Sequence, residues 1–325
     1  MSPLIPEPVT LARHAMATRF EIVLHGENPV ALRAAGEEAL DEIDRLEAQL
    51  SLYRSTSEIA HVNARAAREP VRVSPSVFRL LEQARQLTME TGGAFDITIA
   101  PLVRCWGFMG GTGRMPDAGA IEEARSRVGI QHVELDPKSF TVRFGRDGMM
   151  IDLGAIGKGY ALECAVEILN DAGVHSALLH GGTSTVHALG TRPDGSPWTI
   201  AIERPRLSPA DDVRLLAQVP LTNEAMSVSA IWGRSFESGG KTYGHVIDAR
   251  TGHPTEAAVL SAVVLPSATE TDALSTALLT LGAGALPTIV GLRPGARGLV
   301  LDRCAGRLNL ASAGIIGTAG DDRRS

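Results

Sequence analysis

The sequence predicts an α+β fold with largely antiparallel sheets and packed helices, on three observations. Its second half is dominated by short alternating runs separated by turn residues: SALLHGG, VHALG, WTIAIERP, LLAQVPL and TYGHVIDA. Its helix-period segments are few and stand apart, so strands and helices do not alternate as βαβ units would require. No repeat, low-complexity tract or clear linker divides the chain.

In chain order, residues 18–26 (TRFEIVLHG) alternate as a strand. Residues 28–50 follow as a helix, with Val30, Ala35, Ala39, Ile43, Leu46 and Leu50 near one face. Within SLYRSTSEIAHVN, Ser55 and Glu58 have the spacing of a capping box for a short helix. Ser74 and Pro75 are the residue types of an N-cap and first helical position, and that helix ends near Gly92. Residues 92–108 (GGAFDITIAPLVRCWGF) read as irregular, and residues 110–119 (GGTGRMPDAG) as a flexible loop. HVELD and TVRFG form a strand pair, and a helix after Gly159 runs to Gly173, a residue suited to C′.

A last helix, TETDALSTALLTLG, ends at Gly282, and RGLVLDR and GRLNLAS finish as strands. Residues 273–292 carry no charge, but their glycines, proline and hydroxyl residues suit a buried helix and a turn better than a membrane span. The expected organisation is an N-terminal extension over residues 1–15, one domain over 16–313 with room for two subdomains, and a polar tail over 314–325.

Composition narrows the function class. The 325 residues are 44% hydrophobic and 21% charged, as in an ordinary soluble enzyme, and long enough to bury a large core. A net charge of −6 argues against a general nucleic-acid footprint. Cys105, Cys164 and Cys304 form no CxxC pair, which argues against a disulfide framework or a thiolate zinc site. The first twenty residues lack a charged start followed by a signal-length apolar run, and no nearby cysteine could carry a lipid. As given, the chain reads as cytoplasmic; it would be exported if its true start lay upstream.

Four stretches carry candidate chemistry. In IDLGAIGKGYALE, Asp152 precedes three glycines around Lys158 and then a helical pattern. This is neither GxxxxGK[ST] nor GxGxxG, yet backbone N–H groups and a lysine at a helix start still suit an anion. A tight strand–helix turn with a solvated lysine suits the residues equally. In TETDALSTALL, Asp272 and Thr276 share a helix face with Ser275 beside them. A carboxylate with hydroxyls is a hard oxygen set fit for Mg²⁺, while Thr269 as cap with Glu270 and Asp272 against the dipole is the plainer account.

In HVIDARTGHP, strand alternation puts His245 and Ile247 on one side, Val246 and Asp248 on the other. His245 could serve as a general base or as a satisfied structural histidine. GGAFD sets Phe95 among small residues beside Asp96, which suits a flat ring or a packed core.

Taken together and in order, MATRFEI, LSLYRSTSEIAHVN, TGGAFDITIAPLVRCWGF, IDLGAIGKGYALE, LLHGGTSTVHALG, GKTYGHVIDARTGHP and TETDALSTALLTLG resemble the ApbE family, the FAD:protein FMN transferases. The resemblance runs from Met16 to Leu281, with weaker strands to about residue 313. It implies an ApbE-like, T-fold-like architecture, FAD as substrate and Mg²⁺ at its pyrophosphate. A Thr or Ser hydroxyl of a flavin-acceptor protein would attack the FMN phosphorus, and AMP would leave.

By matching blocks, the resemblance places Met16, Tyr53, Ala94, Phe95, Asp96, Asp152, Lys158 and Ile247 at FAD. It places Asp272, Thr276, Ser275 and the backbone oxygen of Ala155 at the metal, and gives His245 the role of base. The sequence departs from the family pattern at Ala249, Ala230 and Thr183, and in GAIGKG, without losing a proposed ligand side chain. Two other activities fit the same cradle: a Mg²⁺-dependent FAD pyrophosphatase giving FMN and AMP, and a non-catalytic FAD-binding module. The chain has no obvious flavinylation target of its own, so the acceptor is expected to be another protein.

Overall fold

The computed structural model describes residues 7–205, 215–304 and 307–317. Its centre is an eight-stranded sheet: β1 (Val9–Ala15), β2 (Thr18–Leu24), β3 (Ala177–Gly181), β4 (Thr185–Leu189), β5 (Glu224–Ala230), β6 (Leu260–Leu265), β7 (Arg297–Cys304) and β8 (Arg307–Ala313). The order across the sheet is the order along the chain, and every neighbouring pair is antiparallel. The fold is therefore a meander whose connections carry the other elements. No crossover is needed, in keeping with the α+β expectation.

The helices are α1 (Pro29–Leu50), α2 (Glu58–Arg65), α3 (Pro75–Glu90), α4 (Ala100–Cys105), α5 (Ala118–Arg125), α6 (Gly157–Asp171), α7 (Ala268–Leu281) and α8 (Leu286–Gly291). Strand alternation sorts the core into two faces. On one face, Phe20, Ile22, Leu179, Val263 and Val300 pack with Leu40, Ile43 and Leu46 of α1, Ala161 and Leu162 of α6 and Leu274 and Leu278 of α7. On the other, Val186, Ala188, Met226, Ala262, Val264, Leu299 and Leu301 are covered by a hairpin, Trp198–Glu203 with Leu215–Leu221. A third cluster joins Leu102, Trp106, Phe108, Ile121 and Ile247 around α4 and α5.

Several expectations give way to particular contacts. Residues 9–15, read as part of an extension, form the edge strand β1 and end in a two-residue turn. Val30 is 79% exposed, and Leu32 and Leu40 take the buried face of α1 instead. Ser57, not Ser55, caps α2, accepting from the Ala60 N–H; Glu58 reaches across to accept from Ser74 N (2.7 Å) and Gln49 Nε2 (2.7 Å). Ser267, not Thr269, caps α7.

The irregular reading of residues 92–108 misses α4, and no helix was expected over α5; both are shorter than the roughly 11–18 residues over which a helical period is read. Strands β5 and β6 were not expected either: β6 is buried along its whole length, so it shows no alternation. Ser74 caps α3 as expected, and Gly173 (φ +76°) and Gly282 (φ +78°) close α6 and α7. Among the described residues no helix is long and apolar enough to cross a membrane.

One close approach sets the geometry of everything that follows. Helices α6 and α7 meet at Gly159, where an added Cβ would lie 2.0 Å from the Ala268 carbonyl oxygen and 3.0 Å from Asp272 Cβ. Backbone cannot yield as a flexible side chain would, so only glycine allows this packing. We expect Gly159→Ala to lower unfolding free energy by roughly 1–3 kcal/mol, read by urea denaturation without ligand. A stability equal to the parent would mean that the helices separate at no cost and that the contact is not a constraint.

Candidate functional site

The α6–α7 contact brings residues far apart in sequence onto one carboxylate. Asp272 is only 4% exposed. Its Oδ2 accepts the Gly159 N–H at 3.1 Å, and Lys158 Nζ stands 3.3 and 3.4 Å from its two oxygens. Lys158 Nζ also donates to the Gly154 carbonyl at 3.1 Å. The glycine turn thus gives its N-terminal backbone to a protein carboxylate, an anion at a helix start.

Beyond Asp272, Ser275 Oγ (3.1 Å) and Thr276 Oγ1 (3.2 Å) donate to its backbone carbonyl. Ser229 of β5 bridges them, at 2.8 Å from Ser275 Oγ and 3.3 Å from Thr276 Oγ1. Ser275 is fully buried and Asp272 nearly so, which leaves Thr276 as the more accessible member of the cluster.

The turn entering α6 is fixed by its own hydrogen bonds. Asp152 Oδ1 accepts from Gly154 N (2.8 Å), and Asp152 N donates to Ile97 O (2.7 Å), tying this turn to the 94–98 loop. Burial pushes the Asp152 carboxyl above the ordinary aspartate value, while the Gly154 N–H and the charges of Lys158 and Arg234 pull the other way. Asp96 is held similarly: Oδ1 accepts from Thr98 N (2.8 Å) and Thr98 Oγ1 (2.7 Å), and Oδ2 from Ile130 N (3.3 Å). Burial raises its pKa too.

His245 does not lie in a strand. The run TYGHVIDA breaks into Lys241–Gly244 and Ile247–Asp248, and His245 occupies the bend between them, so strand alternation does not set its direction. Its Nδ1 lies 3.2 Å from the Arg234 carbonyl oxygen. A carbonyl can only accept, so Nδ1 carries the proton and Nε2 of the neutral ring keeps its lone pair. Burial lowers the His245 pKa, reinforced by the charges of Arg234 and Lys158 and opposed by that hydrogen bond. Arg234 in turn donates from its guanidinium to the carbonyls of Phe108 and Gly111, pinning the glycine-rich loop beside His245.

Asp152, Lys158, His245 and Asp272 are thus brought within electrostatic or hydrogen-bond reach of one another. Met16 sits at the same end of the sheet in the β1–β2 turn, where it and Ala17 hold left-handed backbones (φ +50° and +58°). Conformations of this kind cost about 1–3 kcal/mol and collect at functional sites. Ala155 is half-buried in the glycine turn. The remaining expected residues are less direct: Ala94 and Phe95 are buried in the main core, Ile247 packs in the Trp106 cluster, and the Tyr53 side chain is 62% exposed on the turn after α1.

Sequence reasoning missed Arg234 and Ser229 as site residues. Arg234 acts through backbone carbonyls, which leave no trace in residue type. Ser229 lies in a strand that the sequence did not signal.

Two surface hollows lie apart from this cluster. One of about 450 Å³ is lined by Arg104, Cys105, Arg114 and Met150, and one of about 340 Å³ by Trp106, Tyr243, Lys241 and His253. Neither contains Asp152, Lys158, His245 or Asp272. We place the site by its converging polar groups, because chemistry requires those and a void does not supply them.

Known proteins share both sequence and fold with this chain. The model of the ApbE family matches residues 16–299. An FAD:protein FMN transferase of Klebsiella pneumoniae (strain 342) is 33% identical over 272 residues, spanning 81% of this chain and 82% of its own length. Another from Vibrio cholerae serotype O1 is 29% identical over 283 residues, spanning 85% and 82%. The crystal structure of the ApbE protein from Thermotoga maritima covers 90% of this chain and 94% of its own, with TM-score 0.81 and 30% identity. The apo form of Pseudomonas stutzeri flavinyl transferase ApbE covers 97% of both chains, with TM-score 0.82 and 29% identity. Similarity that spans nearly the whole domain, in sequence and in fold, makes this chain a member of the ApbE family.

Proposed function

We propose that this protein transfers the FMN half of FAD to a Thr or Ser hydroxyl of an acceptor protein and releases AMP. The observation that carries the reading is the buried Asp272 carboxylate held against the glycine turn by Gly159 and Lys158, with His245 nearby. The relatives' name, FAD:protein FMN transferase, supports the transfer of FMN from FAD to a protein.

The donor set suits Mg²⁺. Asp272, Thr276, Ser275 and the Ala155 carbonyl are hard oxygen donors with a single carboxylate among them. No group of three His, Cys, Asp or Glu side chains fit for a metal occurs among the described residues. A zinc-type cage would need such a group, whereas Mg²⁺ keeps waters and takes phosphate oxygens to complete its shell. When bound, Mg²⁺ would neutralise the diphosphate and stabilise the oxygens that attack and leave.

The chain's own residues do the rest. The half-buried Lys158 ammonium offers a positive charge to the diphosphate at the start of α6. Met16, Tyr53, the 94–96 loop, Asp152 and Ile247 border the flavin nucleotide. His245, with Nδ1 committed to Arg234, accepts the acceptor hydroxyl's proton at Nε2. That oxygen then bonds the FMN phosphorus as the bond from phosphorus to the AMP oxygen breaks. The histidine must be neutral for this, and its lowered pKa keeps it so.

The test combines purified protein, FAD and Mg²⁺ with a flavin-acceptor domain carrying a target threonine. A mass gain of FMN on the acceptor with equal release of AMP is expected. AMP and free FMN with an unlabelled acceptor would replace the transferase by a pyrophosphatase.

Because the His245 pKa is lowered, its base form persists below the ordinary histidine value. We expect the acid limb of the rate profile to fall below about pH 6.5, and to vanish in His245→Gln. That variant should retain FAD binding and lose about 10²–10⁴-fold in transfer rate; an unchanged rate would remove the base assignment. Asp272→Ala is expected to lower Mg²⁺-dependent turnover by roughly 10²–10³-fold, as when one charge-stabilising group is deleted. Turnover that survived at low Mg²⁺ would show that Asp272 does not hold the metal.

A further inference from the structure

We infer that Lys158 is a resident cation of the metal site: its ammonium holds the place of the divalent ion until FAD arrives, and so couples metal loading to substrate loading. This rests on the transferase reading and adds to it a competition inside the site.

The geometry is that of a cation among oxygens rather than of a committed ion pair. Nζ stands 3.1 Å from Gly154 O and 3.3 and 3.4 Å from the two Asp272 oxygens. Charge-assisted N–H···O bonds close at about 2.7–2.9 Å. Elsewhere in this chain they do: Arg250 Nη2 reaches Asp248 at 2.7 Å and Arg293 Nη2 reaches Glu270 at 2.8 Å. The ammonium is shared among three acceptors and bonded tightly to none.

Asp272, by contrast, is almost fully buried and would be costly to leave uncompensated. Its other partner is a single backbone N–H, that of Gly159. The carboxylate therefore needs a cation at all times, and Lys158 is the one within reach among the described residues.

A divalent ion and this ammonium cannot share the place. Mg²⁺ draws its oxygens in to about 2.0–2.1 Å, and three positive charges would then face one carboxylate. Lys158 must leave as the metal enters. The flexible side chain is already one-fifth exposed, and the diphosphate of FAD brings the negative charge that would receive it. Without that anion, displacement sends the ammonium to water and the metal binds against a competitor. With it, both cations find partners. Coupling of this kind is reciprocal: FAD tightens the metal and the metal tightens FAD.

Mn²⁺ binding, followed by the electron paramagnetic resonance of the free ion, tests this without turnover. The measurement compares full-length protein with Lys158→Met and Lys158→Gln, each with and without FAD. We expect both variants to bind Mn²⁺ alone about tenfold more tightly than the parent, a coupling of ordinary size. FAD should strengthen Mn²⁺ binding markedly in the parent and little in the variants. Melting in EDTA gives a second readout: the variants should melt lower than the parent, and Mn²⁺ should raise them more.

Mn²⁺ affinity that is unchanged or weaker in both variants without FAD would overturn the placeholder while leaving the transferase reading intact. Failure of the parent to bind Mn²⁺ even with FAD bound would instead remove the metal reading, and the placeholder with it.

Discussion

The structure depends on one buried negative charge. A carboxylate withdrawn from water costs several kcal/mol unless hydrogen bonds and a counter-charge replace the lost hydration. Asp272 obtains both from the first turn of α6: the Gly159 N–H, the Lys158 ammonium and the positive end of the helix. Those groups can reach it only if the two helices touch, and they touch only because residue 159 has no side chain. Packing and electrostatics are thus one constraint. The helix contact exists to be close, and its closeness makes the charge tolerable.

The meander explains why such a contact can be built from residues 114 positions apart. Since strands follow each other across the sheet in chain order, each connection can be lengthened without disturbing strand pairing. The connection from β2 to β3 carries α1 to α6, and that from β6 to β7 carries α7 and α8, both onto the same face. The connection from β5 to β6 carries Arg234 and His245. Three insertions therefore converge at one end of a rigid sheet. Their ionisable groups shift in opposite directions, Asp152 upward and His245 downward, because burial disfavours the charged form of each. A histidine held neutral beside cations is in the protonation state of a base.

The sequence was legible where an element had its own punctuation. Ser74–Pro75, Gly173 and Gly282 marked helix ends by chemistry that needs no tertiary context, and the structure keeps all of them. It was illegible where tertiary burial sets the pattern. Strand β6 alternates between two cores that are both apolar, so its inside and outside residues look alike. Helices α4 and α5 are shorter than the roughly 11–18 residues over which an amphipathic period stands out. His245 looked strand-bound because its neighbours are β-formers, yet it stands in a bend between two strands with its ring at the Arg234 carbonyl. For the site, residue types alone left each stretch open between a structural and a chemical role. The ordered set of motifs decided between them, since no single one of Asp272, Lys158 or His245 distinguishes a ligand from a cap, a solvated amine or a core histidine.

The tight packing of the site follows from the same physical chemistry. Two hollows lie beside Arg114 and Tyr243, while Lys158, Ser229, Ser275, Thr276 and Asp272 are bonded largely to one another, and Asp152 to the backbone of its own turn. An empty polar cavity would leave buried donors and acceptors unmade, each costing about 1–3 kcal/mol. A site assembled from hydroxyls, a carboxylate and an ammonium is therefore most stable when those groups satisfy each other. Binding then becomes an exchange of partners: hydroxyls that now donate to a backbone carbonyl must turn outward, and the ammonium must find another anion. Such a site is rigid in its backbone, through Gly159 and the sheet, and exchangeable in its side chains. That division suits a reaction that must receive a charged nucleotide, hold it for attack and release half of it.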